Sequence, residues 1–184
     1  MIYHDHKCIF VHVPKTAGKS IATALGFSPE NSDIGNIHKT LKQYRDENTF
    51  AVFMDYIKFT FVRNPFDRLV SLYFYFRQNS RHKLNPDTTF HDFLTCRMNQ
   101  YAIKPQMDFI SFEPAEIGSC DFIGRYENLE DDWKVIAKTL GVANELPKVN
   151  TTKHDDYRKY YTHELKQWVY NNHLIDFETF NYTF

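Results

Sequence analysis

The chain has 184 residues, 42% of them hydrophobic and 24% charged, an ordinary globular balance that excludes an intrinsically disordered chain. A net charge of −1 excludes a molecule-wide basic field for nucleic acid and leaves room only for a local basic pocket. Apolar runs stop well short of the ~20 residues of a spanning helix, Met1–Cys8 lacks the apolar core of a signal peptide, and Cys8, Cys96 and Cys120 form no CxxC pair. These features predict a soluble, cytoplasmic, reduced protein without a membrane anchor, and leave its oligomeric state open.

In chain order, Cys8–Val13 reads as a short buried strand, being β-branched and apolar. A Pro-Lys-Thr-Ala-Gly-Lys-Ser turn follows, then a helix over Lys19–Leu25 with Gly26 as its stop. Asn36–Asn48 predicts a second helix and Ile57–Val62 a second strand. Asn64 and Pro65 suit the cap and first position of the next helix, whose Leu69, Leu72, Tyr73 and Phe76 share one face. The polar stretch Asn79–Thr88 reads as a surface loop and Thr89–Arg97 as a helix. Asp121–Gly124 predicts a strand. Asn128 opens a helix with Leu129, Trp133, Ile136, Ala137 and Leu140 in one stripe, ended by Gly141, and His163–Asn172 is the last predicted helix. Strands separated by helices imply a parallel sheet covered by helices: a three-layer, P-loop-like α/β fold, read as a single domain over 1–184.

Two segments carry chemistry. In Ile9–Ser20 a strand feeds a tight loop that opens a helix, the arrangement in which backbone N–H groups and the helix dipole receive an anion. Lys15 and Lys19 add charge there, and Thr16 and Ser20 add hydroxyls. Gly18-Lys19-Ser20 matches the end of the nucleotide-binding G-x-x-x-x-G-K-[ST] loop. The first glycine of that pattern is replaced by Val13, followed by Pro14, so the triphosphate pattern is broken. In Phe59–Ser71, Arg63 stands at a strand end, where ligands bind in such sheets, and Ser71 lies two turns into the following helix. Guanidinium and hydroxyl together suit a phosphate.

Taken together, Val13–Ser20 and Val62–Ser71 resemble the two phosphate-gripping motifs of the sulfotransferase superfamily. Phe122–Leu129, Leu146–Asn150, Tyr157–Thr162 and Asp176–Phe184 are similar to its carbohydrate, Golgi type 2-like branch. The resemblance implies transfer of a sulfuryl group from 3′-phosphoadenosine 5′-phosphosulfate (PAPS) to a hydroxyl or amine of a carbohydrate-like or other small acceptor, with no metal. It implies that Lys15, Thr16, Ala17, Gly18, Lys19 and Ser20 hold the 5′-phosphosulfate, Lys15 meeting the charge on the leaving oxygen, and that Arg63 and Ser71 hold the 3′-phosphate. Arg125, at a strand end, and Lys153, in the polar loop Asn150–His154, are further cofactor contacts. A base is needed for the acceptor proton, and His38 is the candidate, with His12 and a carboxylate such as Glu127 as alternatives. The scheme requires Lys15 and Arg63 to open on one cleft. An ATP-dependent small-molecule kinase and a catalytically inactive nucleotide-binding module are the competing readings. The His4-Asp-His6 pair lacks a third metal ligand and reads as a terminus without a metal.

Overall fold

The computed structural model describes residues 1–27, 37–78, 84–95, 100–112, 120–149 and 153–184. Asn36, residues 79–83, Cys96, Arg97 and residues 150–152, on which parts of the sequence reading fall, lie outside them. The described residues form two compact units, one of Met1–Arg63 with Gln106–Asn150, the other of Asn64–Pro105 with Thr151–Phe184.

The first unit is built on the β-branched and aromatic runs that the sequence marks as strands. β1 (Ile2–Tyr3), β2 (Cys8–Val11), β3 (Ile57–Val62) and β4 (Phe122–Arg125) form one sheet in the order β1-β2-β3-β4. β2, β3 and β4 are parallel, with Phe10 opposite Phe59 and Val62 opposite Arg125. Side chains alternate across a strand, so Cys8, Phe10, Phe59 and Phe61 face one way. They pack with Ile21 of α1 (Gly18–Ala24) and with Trp133, Ile136, Ala137 and Leu140 of α8 (Leu129–Leu140). On the other face Ile9 and Val11 are fully buried. There Lys58 reaches the Phe53 carbonyl (3.4 Å) on α3 (Phe50–Asp55), which packs with α2 (Leu41–Glu47), itself against α7 (Met107–Ile110). Helices thus flank a mostly parallel sheet, as the sequence predicts.

Several boundaries differ from the sequence reading for physical reasons. β1 runs antiparallel to β2, so the sheet is not wholly parallel. β2 ends at Val11, because His12 and Val13 run past the last ladder partner, Thr60. α2 begins at Leu41, where Thr40 and Gln43 form a reciprocal capping box that fixes the start. β4 is one residue later than expected, and a 3-10 turn at Tyr126–Asn128 precedes α8. Asn128 does not cap α8 through its side chain; its amide donates to Asp132 Oδ1 (2.7 Å) instead. Gly26 (φ +83°) and Gly141 (φ +68°) make the left-handed turns expected of helix stops.

The second unit packs around α4 (Pro65–Gln78). Asn64 Oδ1 accepts from the Phe66 N–H (3.0 Å) at its start. The predicted stripe is the core: Leu69, Leu72 and Tyr73 are buried with Phe93 and Leu94 of α5 (Phe90–Thr95), Leu165 and Val169 of α9 (His163–Asn172) and Phe177 of α10 (Leu174–Phe180). Arg68 is fully buried and donates to the Ala102 and Ile103 carbonyls (3.0 and 3.3 Å) at the end of α6 (Gln100–Ile103). A cation there also complements the helix dipole. Among the described residues no helix is long and apolar enough to cross a membrane.

Candidate active site

The loop between β2 and α1 lies at the carboxyl end of the parallel strands. Lys15 (φ 70°) and Ala17 (φ 65°) are both left-handed, a conformation that costs a non-glycine residue about 1–2 kcal/mol and that collects at ligand sites. Turns of this kind aim successive N–H groups into an anion-binding concavity. Thr16 is fully buried and its hydroxyl donates to the Val13 carbonyl (2.9 Å), closing the loop on itself. Ser20 is buried, and its hydroxyl bonds the Val149 N–H at 3.3 Å. Both hydroxyls that the sequence offers to a phosphate therefore also engage main chain. Lys19 is exposed on the first turn of α1, whereas Lys15 is partly buried.

β3 delivers Arg63 to the same place. The guanidinium donates to the Lys15 carbonyl (Nη1–O 3.2 Å) and lies 3.9 Å from the centroid of the Tyr126 ring, a cation–π stack. Its backbone is held on both sides by one buried side chain: Arg63 N–H donates to Gln106 Oε1 (2.9 Å) and Gln106 Nε2 donates back to the Arg63 carbonyl (2.8 Å). The amide of Gln106 thus stands in for a neighbouring strand. The Arg63 guanidinium is thus in contact with the Lys15 main chain. Burial lowers the Lys15 amine to about 8, with the Arg63 and Lys19 charges acting in the same direction.

His38 also belongs to this unit. Its Nδ1 lies 2.8 Å from the His12 carbonyl, and since a carbonyl only accepts, the proton sits on Nδ1 and the lone pair on Nε2. Burial lowers its pKa below 6.5, opposed by that hydrogen bond. His12 is buried, its ring stacked on Phe10 (centroids 5.5 Å) and tilted against His38 (4.3 Å). Burial holds it well below the ordinary imidazole value, with His38 next in effect. Gly18 owes its identity to this ring: a Cβ there would lie 1.8 Å from His12 Nε2.

Arg125 is exposed at the end of β4, its N–H donating to Asp132 Oδ2 (2.6 Å), and Glu127 is exposed in the following turn. Ser71 is buried on α4, and Lys153 is exposed with its carbonyl accepting from Gln78 (3.2 Å); both belong to the second unit. Residues 150–152 of the polar loop lie outside the described residues. Gln106 and Tyr126 were missed as supports of Arg63: Gln106 sits in a stretch without a motif, while Tyr126 had a signal in its place just after the β4 strand end. Among the described residues no cluster of three or more His, Cys, Asp or Glu is placed to hold a metal.

The model of a family described as "Sulfotransferase family" matches residues 1–183. An uncharacterised protein of Archaeoglobus fulgidus is 35% identical over 112 residues, covering 59% of this chain and 88% of that one. Carbohydrate sulfotransferase 11 of Rattus norvegicus is 25% identical over 235 residues, 100% of this chain and 66% of that protein. The Danio rerio protein of the same name is 26% identical over 195 residues, 79% and 54% respectively. The chain therefore spans 54–66% of the length of these curated sulfotransferases. No solved structure gives a significant match.

Proposed function

The chain belongs to the sulfotransferase family, and from that premise we propose that it transfers the sulfuryl group of PAPS to a hydroxyl or amine of a carbohydrate-like acceptor. The observation that carries the reading is the meeting of Lys15 and Arg63, guanidinium on carbonyl at 3.2 Å, beside a loop with two left-handed residues. Such a cationic, N–H-rich corner fits a phosphate or phosphosulfate group. The carbohydrate acceptor is supported by the names of the curated relatives.

In this reading the loop Lys15–Ser20 holds the 5′-phosphosulfate. Arg63, its face covered by Tyr126, offers its edge to the 3′-phosphate, which Ser71 shares by the likeness of Val62–Ser71 to the family's second motif. Arg125 and Lys153 contribute further charge, and residues 1–184 act as one catalytic domain. As the S–O bond to the donor breaks, negative charge grows on the leaving phosphate oxygen. Lys15 meets it, and an amine lowered to about 8 is a readier proton donor than an exposed lysine. His38, with its lone pair on Nε2, takes the proton of the acceptor hydroxyl as the new S–O bond forms.

The test begins with thermal shift in adenosine 3′,5′-bisphosphate (PAP), the product left after transfer, since a ligand that binds only the folded state raises the midpoint. PAP stabilises the chain without magnesium, and incubation with PAPS and a glycan panel yields a sulfate-sized mass gain. Lys15→Ala abolishes that gain while Lys19→Ala retains it. Stabilisation only by ATP with magnesium would overturn the proposal in favour of a kinase, and PAP binding without transfer to any acceptor would leave a binding module.

A further inference from the structure

His12 is an unusual residue to find under a phosphate loop. It is 6% exposed, and its Nδ1 is buried with no hydrogen-bond partner among the described residues. A buried polar atom left unpaired is costly and calls for a compensating role. The ring fills the space that Gly18 leaves open and packs against Phe10 and His38. The same residue's carbonyl holds His38 Nδ1. One residue therefore touches His38 twice, once through the main chain and once through the ring.

We propose that His12 is a positioning residue for His38: its carbonyl keeps the proton on Nδ1, leaving Nε2 to accept, and its ring walls the His38 imidazole from water. The functional half of this inference rests on the reading of His38 as the base. The charged and titratable groups around the pair act in one direction. Lys15 and Lys19 act on His12 and lower its pKa, and the Met1 amino group would lower both imidazoles only while charged. Burial takes the Met1 amine itself to about 4, so it is uncharged at neutral pH. Lys39, next to His38, is paired with Glu47. Water exclusion by the His12 ring is thus the part of the environment that a substitution at 12 removes, while the main-chain bond stays.

Two variants separate the ring from the carbonyl. His12→Ser opens the wall, and His12→Phe keeps an aromatic ring in its place. The first readout is the NMR titration of the His38 Cε1–H signal, which does not depend on turnover; the second is the pH profile of kcat. In His12→Ser the His38 titration moves up toward 6.5, and the acid limb of kcat moves with it, while His12→Phe titrates as the wild type does. An unchanged His38 titration in His12→Ser overturns the proposal. So does a His12→Phe protein that folds yet titrates like His12→Ser. If the NMR titration shifts and the kcat profile does not, the hold of His12 on His38 stands and the base reading of His38 falls.

Discussion

Replacing Gly18 by alanine tests the packing beneath the loop. Gly18 has no positive φ, so its backbone accepts alanine, and alanine in a helix is favoured over glycine by about 0.8–1 kcal/mol. Propensity alone predicts stabilisation. Against it, the new Cβ would stand 1.8 Å from His12 Nε2 and 1.9 Å from Cδ2, where carbon contacts settle at about 3.5–4.0 Å. The ring must retreat by roughly 2 Å, and it is already packed against fully buried Phe10 and against His38. Overpacking of this kind costs about 1–3 kcal/mol, and the upper end applies where both neighbours are fixed. The net loss expected is about 1–2 kcal/mol, or about 2–8 °C in Tm for a chain of this length. Urea and thermal unfolding of Gly18→Ala, His12→Ser and the double variant measure it. The double variant relieves the clash, so the two effects couple by about 1 kcal/mol or more instead of adding. Additive effects, or a Gly18→Ala chain as stable as the wild type, would refute the argument. If the double variant regains stability but not PAP binding, the glycine serves the ligand's approach as well.

Four further outcomes follow from the site. The Lys15 amine, lowered to about 8, is neutral in much of the folded protein between pH 8 and 10.5 while the unfolded chain still binds the proton; stability from this group therefore rises with pH across that window. Lys15→Met is accordingly more stable than the wild type at pH 7, by no more than about 3 kcal/mol, with the gap closing by pH 10.5, as urea titrations at the two pH values will show. PAP binding restores the Lys15 charge, so calorimetry in buffers of different ionisation enthalpy detects proton uptake near pH 9 that Lys15→Arg abolishes. Tyr126→Ala removes the stack on Arg63, worth about 0.5–2 kcal/mol, and weakens PAP about 2- to 30-fold by that energy, while Tyr126→Phe binds as the wild type; equal binding by all three would exclude the stack as a support. Gln106→Ala deletes both hydrogen bonds to the Arg63 main chain and costs about 1–3 kcal/mol in urea unfolding, against the ±0.5 of an ordinary surface change.

What was legible in the sequence was what short-range chemistry decides. Ile57–Val62 and His163–Asn172 form over the residues predicted, because alternation and a Thr162 cap on the Leu165 N–H are local. Lys15 and Arg63 were legible as neighbours because each follows the carboxyl end of one of two adjacent parallel strands, and topology brings such ends together. β1 has two residues and owes its existence to pairing with β2, so no periodicity announces it. α3 and α10, with six and seven residues, are too short for a periodic signal to stand out. Gln106 is 43 residues from Arg63, and its pairing with that backbone follows only from how the intervening chain returns. His12 was legible as a histidine near the loop but not as the ring that excludes a side chain at Gly18, which needs atomic distances.

The loop departs from the nucleotide-binding pattern at Val13 and Pro14, and the structure shows how it turns without that glycine. The left-handed turns that a glycine makes freely are made by Lys15 and Ala17, each at a cost of about 1–2 kcal/mol. Three contacts hold them: the Thr16 hydroxyl on the Val13 carbonyl, the Arg63 guanidinium on the Lys15 carbonyl, and the His12 ring in the space beside Gly18. The second of these joins strain to chemistry. Arg63 holds Lys15 through its carbonyl while its own charge, after burial, lowers the Lys15 amine. Lys19, exposed on the helix, lacks such a hold. In a loop with the missing glycine restored, the lysine after the second glycine would carry the phosphate chemistry. Here the backbone that replaces it places a partly buried, acidified amine at position 15, the amine to which the proposed mechanism gives the leaving group.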